Sequence, residues 1–388
     1  MKQLFSLCLI SILSFALFAC FNRHTSDSED NKSPIPIGAF LSLTGPDAAF
    51  GISTKKGLQL AVNQINENGG INGRELKLII KDDGGKIDRA IKKVNELADK
   101  DNVLAILGQA ASQLSLAAAP IAQEKQIPMI SPSSTNPRVT EVGNYVFRVC
   151  FIDPFQGYVM AKFARNRLKV KKVAVLRDRK SEYSMGLAEY FTKTFQKLGG
   201  EIVAEEEFAS GDLDFQEQLK RIHSLSPTAI FIPAYYTEVA LIAHQVRQMG
   251  IKAHLLGGDG WDSGALFEMA RESVNGSYFS SHFTSESKEP QVKEFVKLYR
   301  SKYEERPDGF AAMAYDATNI LAEALKSAKT ITRNHIRKKI ATTKNFPGVT
   351  GTITLNSQRN AEKPAVIFKI DGPINRFVTT ISPQTAIN

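Results

Sequence analysis

Sulfur, indole and concentrated charge are all scarce in this chain, and each scarcity closes off a class of function. Three cysteines, Cys8, Cys20 and Cys150, and one tryptophan, Trp261, stand in 388 residues. So few cysteines exclude a thiolate metal cluster, and His223, His244, His254, His282 and His335 are scattered without metal-ligand spacing. They read as surface or packing histidines, and neither a metal nor a cofactor is expected. The Gly-x-Ser-x-Gly elbow, the Walker loop and His-Glu-x-x-His are all missing. Gly258-Asp259-Gly260 lacks the third glycine of a dinucleotide fingerprint, since Ser263 stands in its place. A hydrolase using Ser112 or Thr135 would have no base nearby in sequence, so the chain is expected not to be an enzyme. The net charge of +9 is dispersed over pairs such as Lys55-Lys56, Lys92-Lys93 and Lys171-Lys172. Without a basic patch there is no nucleic-acid surface.

Charge is also missing from Leu4 to Phe18, directly after Lys2. That run is too short for a comfortable membrane span of about 20 residues and suits the apolar core of a signal peptide. It ends Leu17-Phe18-Ala19-Cys20, a small residue before Cys that resembles a bacterial lipobox, with Cys20 as the lipidated residue. Phe18 is bulkier than usual there, so ordinary secretion with cleavage nearby stays open. Residues 1–20 are thus expected to be a lipoprotein-type signal and 21–34, polar and aperiodic, a flexible tether. Cys8 leaves with the signal and Cys20 carries lipid, so Cys150 has no partner for a disulfide and the core must stabilise itself.

The remaining ~350 residues exceed one domain of about 100–200 residues and imply two lobes. Strand and helix patterns alternate through Ile35–Ser42, Ser53–Asn68, Glu75–Asp82, Ile87–Asp99, Val103–Leu107, Ser112–Glu124 and Ile127–Ile130. The scheme repeats from Lys172–Leu176 to His254–Leu256. Three helical segments follow, Gln291–Glu305, Gly309–Lys329 and Thr332–Ala341, and short strands near Thr350–Leu355 and Ala365–Ile370 finish the chain. Two runs of βα units predict an α/β fold of two doubly wound parallel sheets, with a ligand between them.

In open α/β sheets ligands sit beyond the carboxyl ends of the strands. There the chain places Ser131-Pro132-Ser133-Ser134-Thr135-Asn136-Pro137, rich in hydroxyls and free of Lys, Asp and Glu. A polar turn explains it as well as a small-anion site does. Ser112 opens a helix after the preceding strand and is a candidate N-cap beside the same positive helix end. Phe50 lies in the loop after the first strand, as a pocket wall or a cover for the core edge. In the second run, Tyr183, Tyr235 and Asp259 each follow a strand.

Taken together, Ile37-Gly38-Ala39-Phe40 through Thr44-Gly45-Pro46, Asn68-Gly69-Gly70-Ile71-Asn72-Gly73, Asp82-Asp83, Ile130-Ser131-Pro132 with Thr135-Asn136-Pro137, and Phe147-Arg148 resemble the leucine/isoleucine/valine-binding proteins. These are the solute receptors of branched-chain amino acid ABC importers. The resemblance covers about residues 35 to 380. It implies a type I periplasmic-binding fold with three crossovers near Asp153, His282 and Thr354. Lobe 1 is then 35–152 with 283–353, and lobe 2 is 153–282 with 354–388. It also implies that Ser112, Ser133 through its backbone, and Thr135 bind an α-carboxylate and part of the ammonium, and that Asp259 pairs with the ammonium. Tyr183 and Tyr235 would line the pocket, with Phe50 against the ligand side chain. The implied protein is an extracytoplasmic, periplasmic receptor and a monomer, held to a membrane through Cys20, that hands an aliphatic amino acid to ABC permease subunits. A sensor of the same fold, or an amide or urea receptor, is the alternative.

Overall fold

The computed structural model describes residues 33–328 and 330–383; the expected signal, Cys20 and nearly all of the tether lie outside them. The chain opens with β1 (Ile35–Leu41), α1 (Ala48–Glu67), β2 (Leu76–Asp82), α2 (Ile87–Asp99), β3 (Ile106–Leu107), α3 (Ser112–Glu124), β4 (Met129–Ser131), α4 (Arg138–Glu141) and β5 (Val146–Arg148). The five strands form one parallel sheet in the order β2-β1-β3-β4-β5. Helices cover both faces, which is why β1 is almost wholly buried and reads as a continuous apolar run. α1 stops where Gly69 and Gly70 take positive φ. A Cβ on Gly70 would also lie 2.2 Å from the Arg74 carbonyl oxygen, so that turn needs glycine.

α5 (Asp153–Lys162) begins the second lobe. Then come β6 (Lys172–Asp178), α6 (Glu182–Lys197), β7 (Glu201–Phe208), α7 (Gln216–Ser224), β8 (Ala229–Phe231), α8 (Tyr236–Gln248), β9 (His254–Gly257), α9 (Gly264–Ala270) and β10 (Tyr278–Ser281). α10 (Pro290–Tyr303), α11 (Gly309–Lys326) and α12 (Arg333–Ile340) return to the first lobe, where Met313, Ile320 and Ile336 share a core with Ile35, Leu107, Ile130 and Phe147. β11 (Phe346–Gly348), β12 (Gly351–Leu355) and β13 (Ala361–Glu362) make a small antiparallel sheet on the same lobe. β14 (Ala365–Asp371) and β15 (Ile374–Ile381) complete the second sheet, ordered β7-β6-β8-β9-β10-β14-β15.

The expected α/β architecture of two doubly wound parallel sheets is present, with differences of detail. β14 and β15 join antiparallel, and β15 was not foreseen, because its alternating, half-exposed residues carry a weak strand signal. Thr354 is not a crossover. It lies inside β12, which folds back on β13 and buries Ile353, Leu355 and Ala361 in the first-lobe core. Arg148 N–H donates to the Arg359 carbonyl at 3.2 Å, which fixes that hairpin beside β5. The chain makes its third crossing later, between Glu362 and Ala365. We propose lobe boundaries of 35–152 with 283–363, and 153–282 with 364–383.

Candidate ligand cleft

The Ser131–Pro137 loop splits its hydroxyls between two jobs. Ser131 Oγ donates to the Gln109 carbonyl at 2.9 Å and accepts from Ser134 N–H at 3.0 Å. Ser134 Oγ bonds the Gln109 carbonyl at 2.8 Å and lies 2.7 Å from Ser115 Oγ. These three hydroxyls hold the loop to the start of α3. Ser133 Oγ and Thr135 Oγ1 are buried and have no hydrogen-bond partner among the described residues. Buried hydroxyls normally find one, which makes these two candidates for a solute, and the Thr135 side chain also interacts with the Asp153 carboxyl.

Behind the loop stands Arg148, fully buried at the end of β5. Its guanidinium donates to the Ser134 carbonyl at 2.6 Å, the Pro137 carbonyl at 3.1 Å and Thr140 Oγ1 at 3.3 Å. A rigid fork of donors suits a loop with several carbonyls turned inward. Ser112 is the first residue of α3 rather than its cap, which is Ala111. Its hydroxyl accepts from Asn136 N–H at 3.3 Å, so it ties the loop to the helix. Phe50 sits on the first turn of α1, not in a loop, because the Gly45-Pro46 turn ends early enough for the helix to begin at Ala48. Its ring stacks on Phe310 at 4.2 Å and meets Tyr235 and Tyr236 edge-on at 5.5 and 5.0 Å.

The second lobe supplies the opposite wall. Tyr183, on the first turn of α6, stacks on Tyr235 at 5.1 Å with the rings 9° apart. Burial, with Asp259 and, at Tyr235, Asp47 adding to it, pushes both phenols well above their usual range, so both are neutral. Tyr183 Oη accepts from Gly260 N–H at 3.1 Å. The turn after β9 packs so tightly on this ring that a Cβ on Gly258 would sit 2.4 Å from the phenol oxygen. Asp259, 4 % exposed, is held at both oxygens. Gln156 Nε2 donates to Oδ1 at 2.8 Å, and His282 Nε2 lies 3.1 Å from Oδ2. Trp261 lies beneath the wall, wholly buried, with Nε1–H on the Ile232 carbonyl at 3.0 Å.

Asp153, Gln156, His282, Arg148 and Phe310 belong to the site region but escaped residue-by-residue reading. His282, expected to be a surface or packing histidine, is buried and packed on Phe151, and it is also a partner of Asp259. Asp153 opens α5, and its backbone N–H donates to the Thr135 carbonyl at 3.0 Å. Both its carboxylate oxygens are buried without a hydrogen-bond partner. Burial pushes its pKa up to about 8; nearby Thr135 opposes this, Asp259 adds to it and Arg148 opposes it. Among the described residues no cluster of His, Cys, Asp and Glu could hold a metal ion.

The two walls touch. Tyr236 Oη donates to the Pro46 carbonyl at 2.6 Å, Asn136 Nδ2 to the Glu182 carbonyl at 2.9 Å, and Arg138 pairs with Glu182 at 2.9 Å. Phe50, Ala110 and Phe310 of the first lobe share one apolar cluster with Ile232, Ala234 and Trp261 of the second. A cavity of about 370 Å³ remains at the mouth, lined by Pro46, Asp47, Gln113, Asp178, Tyr235 and Glu238. Two α/β lobes meeting face to face over unpaired hydroxyls and a braced acid make a closing receptor for a small polar solute.

Comparison with known proteins agrees. The family model described as periplasmic binding protein matches residues 34–373. A leucine binding protein, LivK, from Thermotoga maritima superposes with a TM-score of 0.87 at 39% identity, covering 90% of this chain and 99% of that one. LivJ from Streptococcus pneumoniae, solved in complex with isoleucine, gives 0.86 at 35% identity, covering 90% and 100%. Leu/Ile/Val-binding protein homolog 3 of Brucella melitensis is 29% identical over 87% of this chain and 91% of its own. The chain belongs to the periplasmic binding protein family, among its Leu/Ile/Val-binding members. It is an exported solute-binding receptor of an ABC importer and not an enzyme.

Proposed function

We propose that this receptor binds a free aliphatic L-amino acid of the branched-chain type and delivers it to ABC permease subunits. In this reading Ser112, the Ser133 backbone and Thr135 hold the α-carboxylate, and Asp259 takes the α-ammonium. Tyr183 and Tyr235 close the pocket around the backbone, and Phe50 packs on the side chain. The observation that carries it is the pairing of an unpartnered Thr135 hydroxyl on one lobe with a doubly braced Asp259 on the other. A zwitterion needs an anion site and a cation site on facing walls. The rings around Phe50 offer no charge to a ligand side chain, which favours an aliphatic one. LivK and LivJ, named for leucine and solved with isoleucine, support the same choice. An amide or urea would leave Asp259 without a cation, so that alternative is less favoured. Cys20 is proposed as the lipid anchor of a monomeric receptor, with 21–34 as its tether.

Calorimetry with a panel of amino acids, amides and urea tests this. Leucine, isoleucine or valine should bind with micromolar affinity, about −8 kcal/mol. Asp259→Ala should weaken binding by at least about 100-fold while the melting temperature holds, since an ionic hydrogen bond and its buried partner are lost. Unchanged affinity in that variant refutes the ammonium site, and tighter binding of an amide than of any amino acid refutes the ligand class.

A further inference from the structure

The second-lobe acid is held by Gln156 and His282, and both come from the segments that join the lobes. Gln156 stands one turn into α5, just past the first crossing. His282 follows β10 at the second crossing, with its side chain 1% exposed. Its ring stacks on Phe151 of the first crossing at 3.7 Å and 26°. The charged and titratable groups around the ring are Asp259 and Lys363; Lys363 belongs to the third crossing and its ammonium is buried without a hydrogen-bond partner. Burial lowers the His282 pKa to about 4 against the pull of Asp259, and Lys363 adds to the lowering.

Only one hydrogen placement fits. Nε2 faces the Asp259 carboxylate, whereas Nδ1 is buried with no partner. A hydrogen on Nδ1 would leave that N–H unpaired and set the Nε2 lone pair against an anion, two penalties at once. The hydrogen therefore lies on Nε2 and is donated to Oδ2.

We propose that His282 is the positioning residue for cation capture: as a neutral Nε2–H imidazole it fixes the direction of Asp259 while leaving its negative charge for the ligand ammonium. A lysine or arginine in that place would also fix the carboxylate but would neutralise it. Gln156 does the same for Oδ1, and it shares its amide with Ser280 Oγ at 3.0 Å. An ionised carboxylate has about four lone-pair sites, so two neutral donors leave room for an ammonium. The inference rests on the reading of Asp259 as the ammonium site.

Histidine-detected NMR on the ¹⁵N-labelled protein tests the brace without any ligand. The His282 signal is found by its loss in His282→Gln. At pH 6 it should show a neutral ring with the hydrogen on Nε2, and Asp259→Asn should shift it. A charged ring, or one with its hydrogen on Nδ1, overturns the proposal. Leucine titration tests the consequence. His282→Gln, which keeps a neutral N–H donor, should bind within about threefold of the parent, and His282→Ala, titrated well below its own melting temperature, at least about tenfold more weakly. Equal losses in the two variants also overturn it. If no amino acid binds the parent protein, the functional reading fails, and the ring's protonation state still decides whether the brace exists.

Discussion

The two walls of the cleft hold their polar groups by opposite means. In the first lobe a short loop does the presenting, and its side-chain supports belong to the same lobe: Ser131, Ser134 and Ser115 tie it to the adjacent helix start, and Arg148 fastens it from the next strand. In the second lobe one acid does the presenting, and its supports come from the segments that join the lobes. Gln156 stands just past the first crossing, 103 residues from Asp259, and His282 stands at the second. The proposed anion wall is stiffened from within its own lobe, so its geometry should survive lobe opening. The proposed cation wall is stiffened through the crossings, so closure and cation capture should be mechanically linked.

The largest effect is expected where the first wall is fastened. Arg148→Met removes a buried cation that bonds two carbonyls and a hydroxyl and leaves all three facing a dry interior. Bonds to a charged group contribute roughly 1.5–3 kcal/mol each, and the loss of unfolding free energy should reach about 3–5 kcal/mol. Urea denaturation of the ligand-free protein measures it. A loss under about 1 kcal/mol would mean the loop holds itself, and the contrast between the walls would collapse.

Next in size is the acid at the first crossing. Asp153 has a folded-state pKa raised to about 8 by burial, far above that of an exposed aspartate. Between pH 4 and pH 8 the folded protein keeps a proton that the unfolded chain has released, so stability falls as pH rises through that window. His282 works the other way: its depressed pKa makes stability rise with pH from about 4 to about 6.5. Asp153→Asn should remove the falling component alone. Its stability relative to the parent should improve by more than about 1 kcal/mol between pH 5 and pH 8 without ligand. Parallel curves for parent and variant would show that Asp153 is not held protonated.

The same contrast explains what could be read from sequence. The sheets, their order of βα units and the hydroxyl-rich loop were legible because periodicity and strand-end chemistry are local signals. That Tyr183, Tyr235 and Asp259 lie together was legible because each follows its strand within a few residues. His282 was not, since nothing beside it in sequence says that a ring at the second crossing meets a turn after β9. Asp153 and Gln156 looked like the ordinary first turn of a helix. Thr354 was misplaced because an apolar strand near the end of the chain says nothing about which sheet it joins. Phe50 was placed in a loop and stands on a helix, because helix starts are the least certain boundaries.

The smallest effect is the sharpest test of how the loop divides its labour. Ser134 and Thr135 are adjacent, both buried, and serve different masters: one hydroxyl binds the fold, the other has no partner in it. Ser134→Ala should cost about 1–2 kcal/mol of unfolding free energy, since the buried Ser115 hydroxyl and the Ala110 carbonyl lose a partner, while the Gln109 carbonyl keeps Ser131 Oγ. Its effect on leucine affinity should stay within about threefold. Thr135→Val keeps the shape and removes only the hydroxyl, so stability should be unchanged or slightly higher, while leucine affinity drops by about tenfold, near 1.4 kcal/mol. Paired denaturation and calorimetry on the two variants give four numbers. If both variants lose stability and neither loses affinity, the loop is a turn and the first wall has no anion site. If both lose affinity equally, the free hydroxyl is not what reads the ligand, and the backbone N–H groups that Arg148 holds in place do the reading instead.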